Sequence, residues 1–327
     1  MSPDRILVTG ATGFLGGAQV RRLVADGRDV VAQGRDRAGC DALSERGLPV
    51  LRWDVSEPLI DTPADLAGVT RIVHAAGLSA PFGSRAAFEA ANVTGTRNVV
   101  DLARRLGVCR FVQVSSSTVY FALRDQLNLS EDDPLPKPFN EYARTKHLSE
   151  QIALAARDIG PLAIRPRGLY GAGDTVLLPR LLKTAAERPL PLLRDGAARI
   201  DLTHVEDVVT AILAGLDAPD TAEGEVFNVT GGVTIPVTHL AESACARAGV
   251  PLRWRKVPVG LGLGAAWASE KAALLTGRGE PAITRYALAL FAYAQSLDIS
   301  KAERVLGWTP RIGFDEGLDL TFAGDTR

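Results

Sequence analysis

The chain has 327 residues, 46% of them apolar, and its 37 basic and 38 acidic residues leave a net charge of −1. That length permits two or three domains or one large α/β unit, and the composition is ordinary for a globular protein. Acids and bases are interspersed, so the electrostatic footprint needed for nucleic acid or an anionic membrane is missing, and neither is an expected partner.

The chain opens with Met1-Ser2-Pro3-Asp4-Arg5 and runs directly into Ile6-Leu7-Val8, with no charged-then-apolar leader, which predicts a cytoplasmic protein. Strand-like Arg5–Thr9 is followed by a helical pattern over Phe14–Asp26, then apolar runs at Val30–Gln33 and Val50–Trp53. The run Arg71–His74 precedes a helix expected over Arg85–Leu106. The run Arg110–Ser115 precedes another over Phe139–Arg157, and Leu162–Arg165 closes the series. Strand-helix alternation predicts an α/β fold, a doubly wound parallel sheet of Rossmann type with helices on both faces. The Val- and Ile-rich runs suit strands buried on both sides.

A dinucleotide-binding domain is therefore expected over residues 1–170. Beyond it, prolines and glycines predict short helices and strands joined by turns. This reads as a smaller mixed α/β substrate-binding region over 171–327, woven into the sheet. The apolar stretch Gly260–Leu275 is broken by Ser269-Glu270-Lys271 and is too short for a bilayer, which takes roughly 20 residues per helix, so no integral membrane segment is expected. Association with a membrane surface stays open. Cys40, Cys109 and Cys245 have no Cys-x-x-Cys or Cys/His spacing, which predicts a reducing compartment and no metal site.

Three local patterns carry chemistry. The first is Thr9-Gly10-Ala11-Thr12-Gly13-Phe14-Leu15-Gly16 between a strand and a helix, the context that makes a glycine motif credible. Gly10 permits the turn, Gly13 admits a pyrophosphate close to the backbone, and Gly16 lets helix and strand pack closely. The helix N-terminus then faces the phosphates, with Thr12, Phe14 and Leu15 as further cofactor contacts. The second is Gln33-Gly34-Arg35-Asp36 at the end of the second strand. Glycine holds the place where NAD-preferring sites usually carry an acid, and Arg35 follows, so NADP is favoured over NAD. Asp36 could still supply the acid, and Arg35 could be a solvated loop residue.

The third is Tyr142-Ala143-Arg144-Thr145-Lys146 downstream of Ser115-Ser116-Ser117. Residues four apart share one helix face, so phenol and ammonium can meet in one pocket. A phenol is a poor base at neutral pH, and a nearby cation favours its ionised form. Such a phenol can pass a proton to or from a carbonyl or alcohol oxygen.

Together these motifs resemble the extended short-chain dehydrogenase/reductase family. Further matches are Asp54-Val55, His74-Ala75-Ala76-Gly77, Asn92-Val93-Thr94-Gly95-Thr96, Ser115 to Tyr120, and Arg165-Pro166-x-x-x-Tyr170-Gly171. The resemblance implies that Asp54 and Val55 border the adenine and that Ala75, Ala76 and Gly77 line the pyrophosphate and nicotinamide side. Pro166, Gly168 and Leu169 join the cofactor contacts. It implies Tyr142, Lys146 and Ser116 as the catalytic residues, with Ser117 close enough to compete with Ser116. Asn92 would be structural or part of a proton relay.

Dehydratases of this family carry Asp-Glu after the catalytic hydroxyl, where this chain has Ser117-Thr118. Sugar-nucleotide epimerases hold the substrate diphosphate with an arginine where this chain has Ile200. Arg199, one residue off in a strand, would point to the other face. The rest resembles the 3β-hydroxysteroid dehydrogenase branch, including reductases of 2-alkyl-3-oxoalkanoates, through Pro81-Phe82-Gly83, Arg165 to Asp174 and Leu306-Gly307-Trp308-x-Pro310.

That branch implies an NAD(P)-dependent reductase or dehydrogenase of an apolar ketone or secondary alcohol, with Phe82 and Val257–Leu275 suited either to such a ligand or to ordinary packing. A nucleotide-sugar epimerase or 4-ketoreductase is the alternative, and a cofactor-sensing regulator a third reading. Family habit also suggests a homodimer through the helices near Arg85–Leu106 and Phe139–Arg157.

Overall fold

A computed structural model of the chain describes residues 4–276, 279, 281 and 283–324. Seven parallel strands form the central sheet: β1 (Arg5–Thr9), β2 (Asp29–Gly34), β3 (Val50–Arg52), β4 (Val69–His74), β5 (Arg110–Val114), β6 (Pro161–Pro166) and β7 (Val226–Val229). They lie in the order β3-β2-β1-β4-β5-β6-β7. Strand order reverses beside β1, so the crevice above the ends of β1 and β4 is where a ligand of such a sheet binds.

Alternation along each strand sends side chains to opposite faces. Ile6 and Val8 of β1 join Val73, Val112, Ile164 and Phe227 in one core, against the helices Phe14–Ala25 and Val205–Leu216. Leu7, Val31, Ile72 and Phe111 join the opposite core, against the helices Gly95–Leu106 and Glu141–Ala155. The doubly wound architecture expected from the apolar runs is the one observed.

The chain changes sheets twice. Gln126–Leu129 leaves the first half to become an edge of a second sheet, ordered Thr234–Pro236, Arg199–Asp201, Gln295–Leu297, Gln126–Leu129. In return β7 comes from beyond residue 170 and pairs with β6, with Phe227 opposite Ile164.

Local structure departs from the sequence reading in three places. The helix expected over Arg85–Leu106 is divided into Arg85–Phe88, a π-turn Glu89–Thr94 and Gly95–Leu106. A helix over Arg37–Glu45, unanticipated, is capped by Asp36, whose carboxylate accepts from the Gly39 N–H at 2.7 Å. The apolar stretch Gly260–Leu275 lies in one helix, Val259–Thr276, whose Leu263 and Ala266 pack on Leu288 and Ala292 while Leu261 and Leu275 are exposed. No helix among the described residues is long and apolar enough to cross a membrane.

Candidate active site

The glycine loop leaves β1 under tight steric control. Gly10 has φ +71°, and a Cβ on it would stand 2.8 Å from the Ala76 nitrogen; one on Gly16 would stand 2.2 Å from the Gly10 carbonyl oxygen. The helix Phe14–Ala25 starts without a side-chain cap and without an acid in its first turn. Its first N–H groups are left for an anionic ligand, as a dinucleotide's pyrophosphate requires. Gln33, which the sequence reading passed over, braces this loop. Its side-chain oxygen accepts from Gly10 N–H at 2.9 Å, and its amide donates to the Trp53 carbonyl at 2.5 Å.

At the outer end of the crevice, a side chain at Gly34 would collide with the Thr12 methyl at 2.6 Å and approach Cys40 Sγ at 3.0 Å. Thr12 thus fills the space where an acid would stand. Asp36 is engaged in capping. The Arg35 side chain is 73% exposed and donates to Asp54 at 3.4 Å, while Asp54 also accepts from Ser56 N–H and Oγ. These hydrogen bonds and the Arg35 charge outweigh partial burial and keep the Asp54 carboxyl below its usual range. Val55 sits beneath Gly95, and its carbonyl accepts from Asn98 at 2.8 Å.

The middle of the crevice is held by a buried hydrogen-bond network. His74, at the end of β4, bridges Thr9 Oγ1 (2.7 Å) and Thr96 Oγ1 (3.0 Å). Burial, reinforced by the Lys146 charge, lowers its pKa to about 3, so it is neutral at physiological pH. Thr9 Oγ1 also accepts from the Ala76 N–H, which fixes the Ala75-Ala76-Gly77 turn. Asn92 lies in the π-turn. Its carbonyl oxygen accepts from Leu78 N–H at 2.7 Å, and its NH2 donates to Leu78 O and Thr145 Oγ1. Its amide therefore straps the turn after β4 to the helix Glu141–Ala155. A Cβ at Gly77 would meet that amide oxygen at 2.8 Å.

Asn140 starts the helix Glu141–Ala155 by accepting from Ala143 N–H at 2.8 Å. Tyr142 and Lys146 follow one turn apart. The Tyr142 hydroxyl accepts from Ser79 Oγ at 3.4 Å, and its ring lies against Phe88, with centroids 6.3 Å apart. Lys146 is buried and donates to the Val114 carbonyl at the end of β5. Burial lowers its pKa to about 8, opposed in part by the Glu150 charge.

Ser116, also after β5, caps the turn Ser117–Tyr120. Its Oγ accepts from Thr118 N–H (3.2 Å) and Thr118 Oγ1 (2.9 Å), leaving its own proton to donate. Ser115 and Ser117 are buried more deeply.

The loop after β6 forms the far wall. Pro166 pairs with Val229, Leu169 pairs with Thr203, and Gly168 between them has φ +56° with the Asp201 carbonyl where a Cβ would stand. Two groups on this side carried no sequence signal. Arg167 is 3% exposed, and the Tyr286 phenol faces it. Burial is the main cause that lowers the Arg167 pKa, and it pushes Tyr286 up to about 12. Among the described residues no cluster of ligands could hold a metal ion.

Known proteins are similar to this chain in sequence and fold. The model of the NAD dependent epimerase/dehydratase family matches residues 6–230. The chain is 32% identical to 2-alkyl-3-oxoalkanoate reductase of Stenotrophomonas maltophilia, covering 96% of this chain and 97% of that protein. It is 30% identical to sterol-4-alpha-carboxylate 3-dehydrogenase of Saccharomyces cerevisiae over 72% of this chain and 71% of that one. Among solved structures, MoeE5 in complex with UDP-glucose and NAD superposes with a TM-score of 0.76 at 27% identity, covering 99% of both chains. With the glycine loop, the ordered Ser, Tyr and Lys, and these matches agreeing, the chain belongs to the NAD dependent epimerase/dehydratase family, the extended short-chain dehydrogenase/reductases, and is an NAD-dependent oxidoreductase.

Proposed function

We propose that this chain interconverts a ketone and a secondary alcohol on an apolar substrate, steroid-like or a long-chain β-keto/β-hydroxy compound, with NADP(H) preferred to NAD(H). The observation that carries this reading is the placing of Tyr142 and Lys146 one turn apart on one helix, with Ser116 and Lys146 both at the end of β5.

The glycine loop would hold the pyrophosphate, Asp54 and Val55 the adenine, and Arg35 the 2′-phosphate. Ala75, Ala76, Gly77, Pro166, Gly168 and Leu169 would border the nicotinamide half. When bound, the nicotinamide supplies or accepts the hydride. Tyr142 passes a proton to the substrate oxygen during reduction and takes it back during oxidation. Ser116 donates a hydrogen bond to that oxygen and so favours charge developing on it. Lys146 holds the ribose hydroxyls and places positive charge beside the phenol. A homodimer through the helices Gly95–Leu106 and Glu141–Ala155, which pack side by side, belongs to the same reading, and analytical ultracentrifugation tests it.

Tyr142→Phe should lose at least about a hundredfold in kcat, the scale of general acid-base catalysis, while binding cofactor as before. Undiminished turnover of a ketone that the natural enzyme reduces would sink the assignment.

The sugar-nucleotide alternative is weakened by Ile200, which is buried, and by Arg199, which is exposed and donates to the Thr234 carbonyl at 3.1 Å. Neither offers a bidentate clamp for a diphosphate. Calorimetric titration with UDP-glucose and with an apolar secondary alcohol separates the two readings.

A further inference from the structure

The helix Val259–Thr276 is apolar on two sides but packed on one. On the inner side Val259, Leu263 and Ala266 pack with Leu193, Leu288 and Ala292, and a Cβ on Gly262 would stand 2.8 Å from Leu288 Cδ2. Glu270, the one acid of the helix, also turns inward, accepting from the Arg285 backbone N–H and from Arg285 Nε, both at 2.7 Å. The outer side presents Leu261, Trp267, Leu274 and Leu275, each at least 50% exposed, among glycines and alanines. Lys271 is the one charge on that side. A helix that is hydrophobic all round is normally buried all round, and an apolar face left in the open marks an interaction surface.

The charge around this face points to what covers it. From Arg253 to Thr276 the chain carries four basic residues, Arg253, Arg255, Lys256 and Lys271, against Glu270 alone, whereas the whole chain has a net charge of −1. Glu270 is neutralised by Arg285, and Lys256 pairs with Asp195 at 2.8 Å. Arg253 and Arg255 lie on either side of Trp254 where the strand Trp254–Lys256 leads into the helix, so both project to one side. Both are exposed, and neither pairs with a carboxylate among the described residues. A two-fold dimer through this face would crowd these cations against their own equivalents. An anionic bilayer instead offers hydrocarbon to the leucines and phosphate to the cations. Trp267 has the amphipathic ring that membrane interfaces favour, and Lys271, four residues on, can lay its stem along the apolar face with its ammonium among headgroups.

We propose that the helix Val259–Thr276 lies in the plane of an anionic phospholipid surface, with Leu261, Trp267, Leu274 and Leu275 below the headgroups and Lys271, Arg253 and Arg255 on lipid phosphates. The helix is joined to the candidate active site: Arg285, held by Glu270, stacks over the Phe139 ring at 5.6 Å, and Phe139 precedes Asn140, the cap of the helix that carries Tyr142. Docking therefore sets the candidate cleft beside the bilayer, where an apolar substrate dissolves. The docking itself goes beyond the ketone/alcohol reading and does not depend on it.

Cosedimentation of the full chain with vesicles of phosphatidylglycerol and phosphatidylcholine in equal parts tests this without turnover. The natural chain should bind them at least about tenfold more tightly than vesicles of phosphatidylcholine alone, since each basic side chain at an anionic surface is worth about fivefold. Trp267→Ser/Leu275→Ser should weaken binding about 100-fold, about tenfold for each large apolar side chain withdrawn from lipid. Both side chains are exposed, so this variant keeps the melting temperature of the natural chain. Arg253→Gln/Arg255→Gln should lower affinity for the mixed vesicles about tenfold and leave that for phosphatidylcholine unchanged. Brominated acyl chains on the phosphatidylcholine of the mixed vesicles should quench tryptophan fluorescence, and Trp267→Phe should still bind but lose the quenching.

Absence of cosedimentation overturns the inference, as does binding that survives Trp267→Ser/Leu275→Ser or quenching that persists in Trp267→Phe. A dimer in analytical ultracentrifugation that the double substitution dissociates, with no vesicle binding, assigns the face to a second copy and likewise overturns it. If vesicles bind through Trp267 and no apolar ketone is reduced, the ketone/alcohol reading falls and the docking surface stands.

Discussion

The Lys146 ammonium donates a hydrogen bond to the backbone carbonyl of Val114, tying the helix Glu141–Ala155 to the last residue of β5. The bond is buried, and it sets a charge where water cannot reach it. Burial lowers the Lys146 pKa from 10.5 to about 8. Between those values the unfolded chain binds more protons than the folded one, so this group's contribution to stability becomes more favourable as pH rises through the window. From pH 7 to pH 9.5 the gain is about 2 kcal/mol. Urea denaturation of the natural chain and of Lys146→Met at both pH values isolates it: the difference in unfolding free energy should move by that amount in favour of the natural chain. A constant difference refutes the assignment.

Glu150 and Arg165 form a bidentate pair in which each side chain is at most 5% exposed. Removing one partner leaves the other charge buried and alone, so Glu150→Gln should cost about 3–5 kcal/mol in urea unfolding. Arg104 and Asp158 are joined by an ion pair of similar length, 2.8 Å, but are about half exposed. There Asp158→Asn should cost less than about 1 kcal/mol.

Gly34 is closed to the obvious change of cofactor preference. An acid introduced there to receive ribose hydroxyls would drive its Cβ into Thr12. Gly34→Asp alone should lower the melting temperature and fail to improve NADH use. The double variant Thr12→Ala/Gly34→Asp should recover stability and shift kcat/KM toward NADH. Steady-state kinetics with both cofactors and a thermal melt decide the matter.

Arg35 tests the proposed preference directly. Its side chain is 73% exposed and, among the described residues, pairs with Asp54 at 3.4 Å, a weak contact that a phosphate would displace under the proposed reading. Arg35→Ala should raise KM for NADPH about tenfold and leave KM for NADH nearly unchanged, the low end of the worth of a charged hydrogen bond. An equal effect on both cofactors would return Arg35 to the role of a solvated loop residue.

Much of the fold was legible because it rests on local regularities. Short Val- and Ile-rich runs read as buried parallel strands, and β1 to β6 each appear where a run stands, whereas the edge strand Gln126–Leu129 had no such run. The π-turn Glu89–Thr94 was not legible, because Asn92 takes its place from partners at Leu78 and Thr145. Asp36 looked available for a ribose until the structure showed it capping a helix. For Gly34, the sequence could only register a missing acid. The packing of Thr12 shows why no side chain fits.

The sequence by itself determined the glycine loop, the Tyr142/Lys146 spacing and the strand order's raw material, since backbone sterics and helical periodicity act between near neighbours. The tertiary structure alone decided which polar groups are satisfied. Gln33 bracing Gly10, His74 held neutral between Thr9 and Thr96, and Arg165 paired while Arg167 is not, all depend on residues brought together from distant parts of the chain. Desolvation makes those pairings matter, and desolvation exists only once the chain has closed around them.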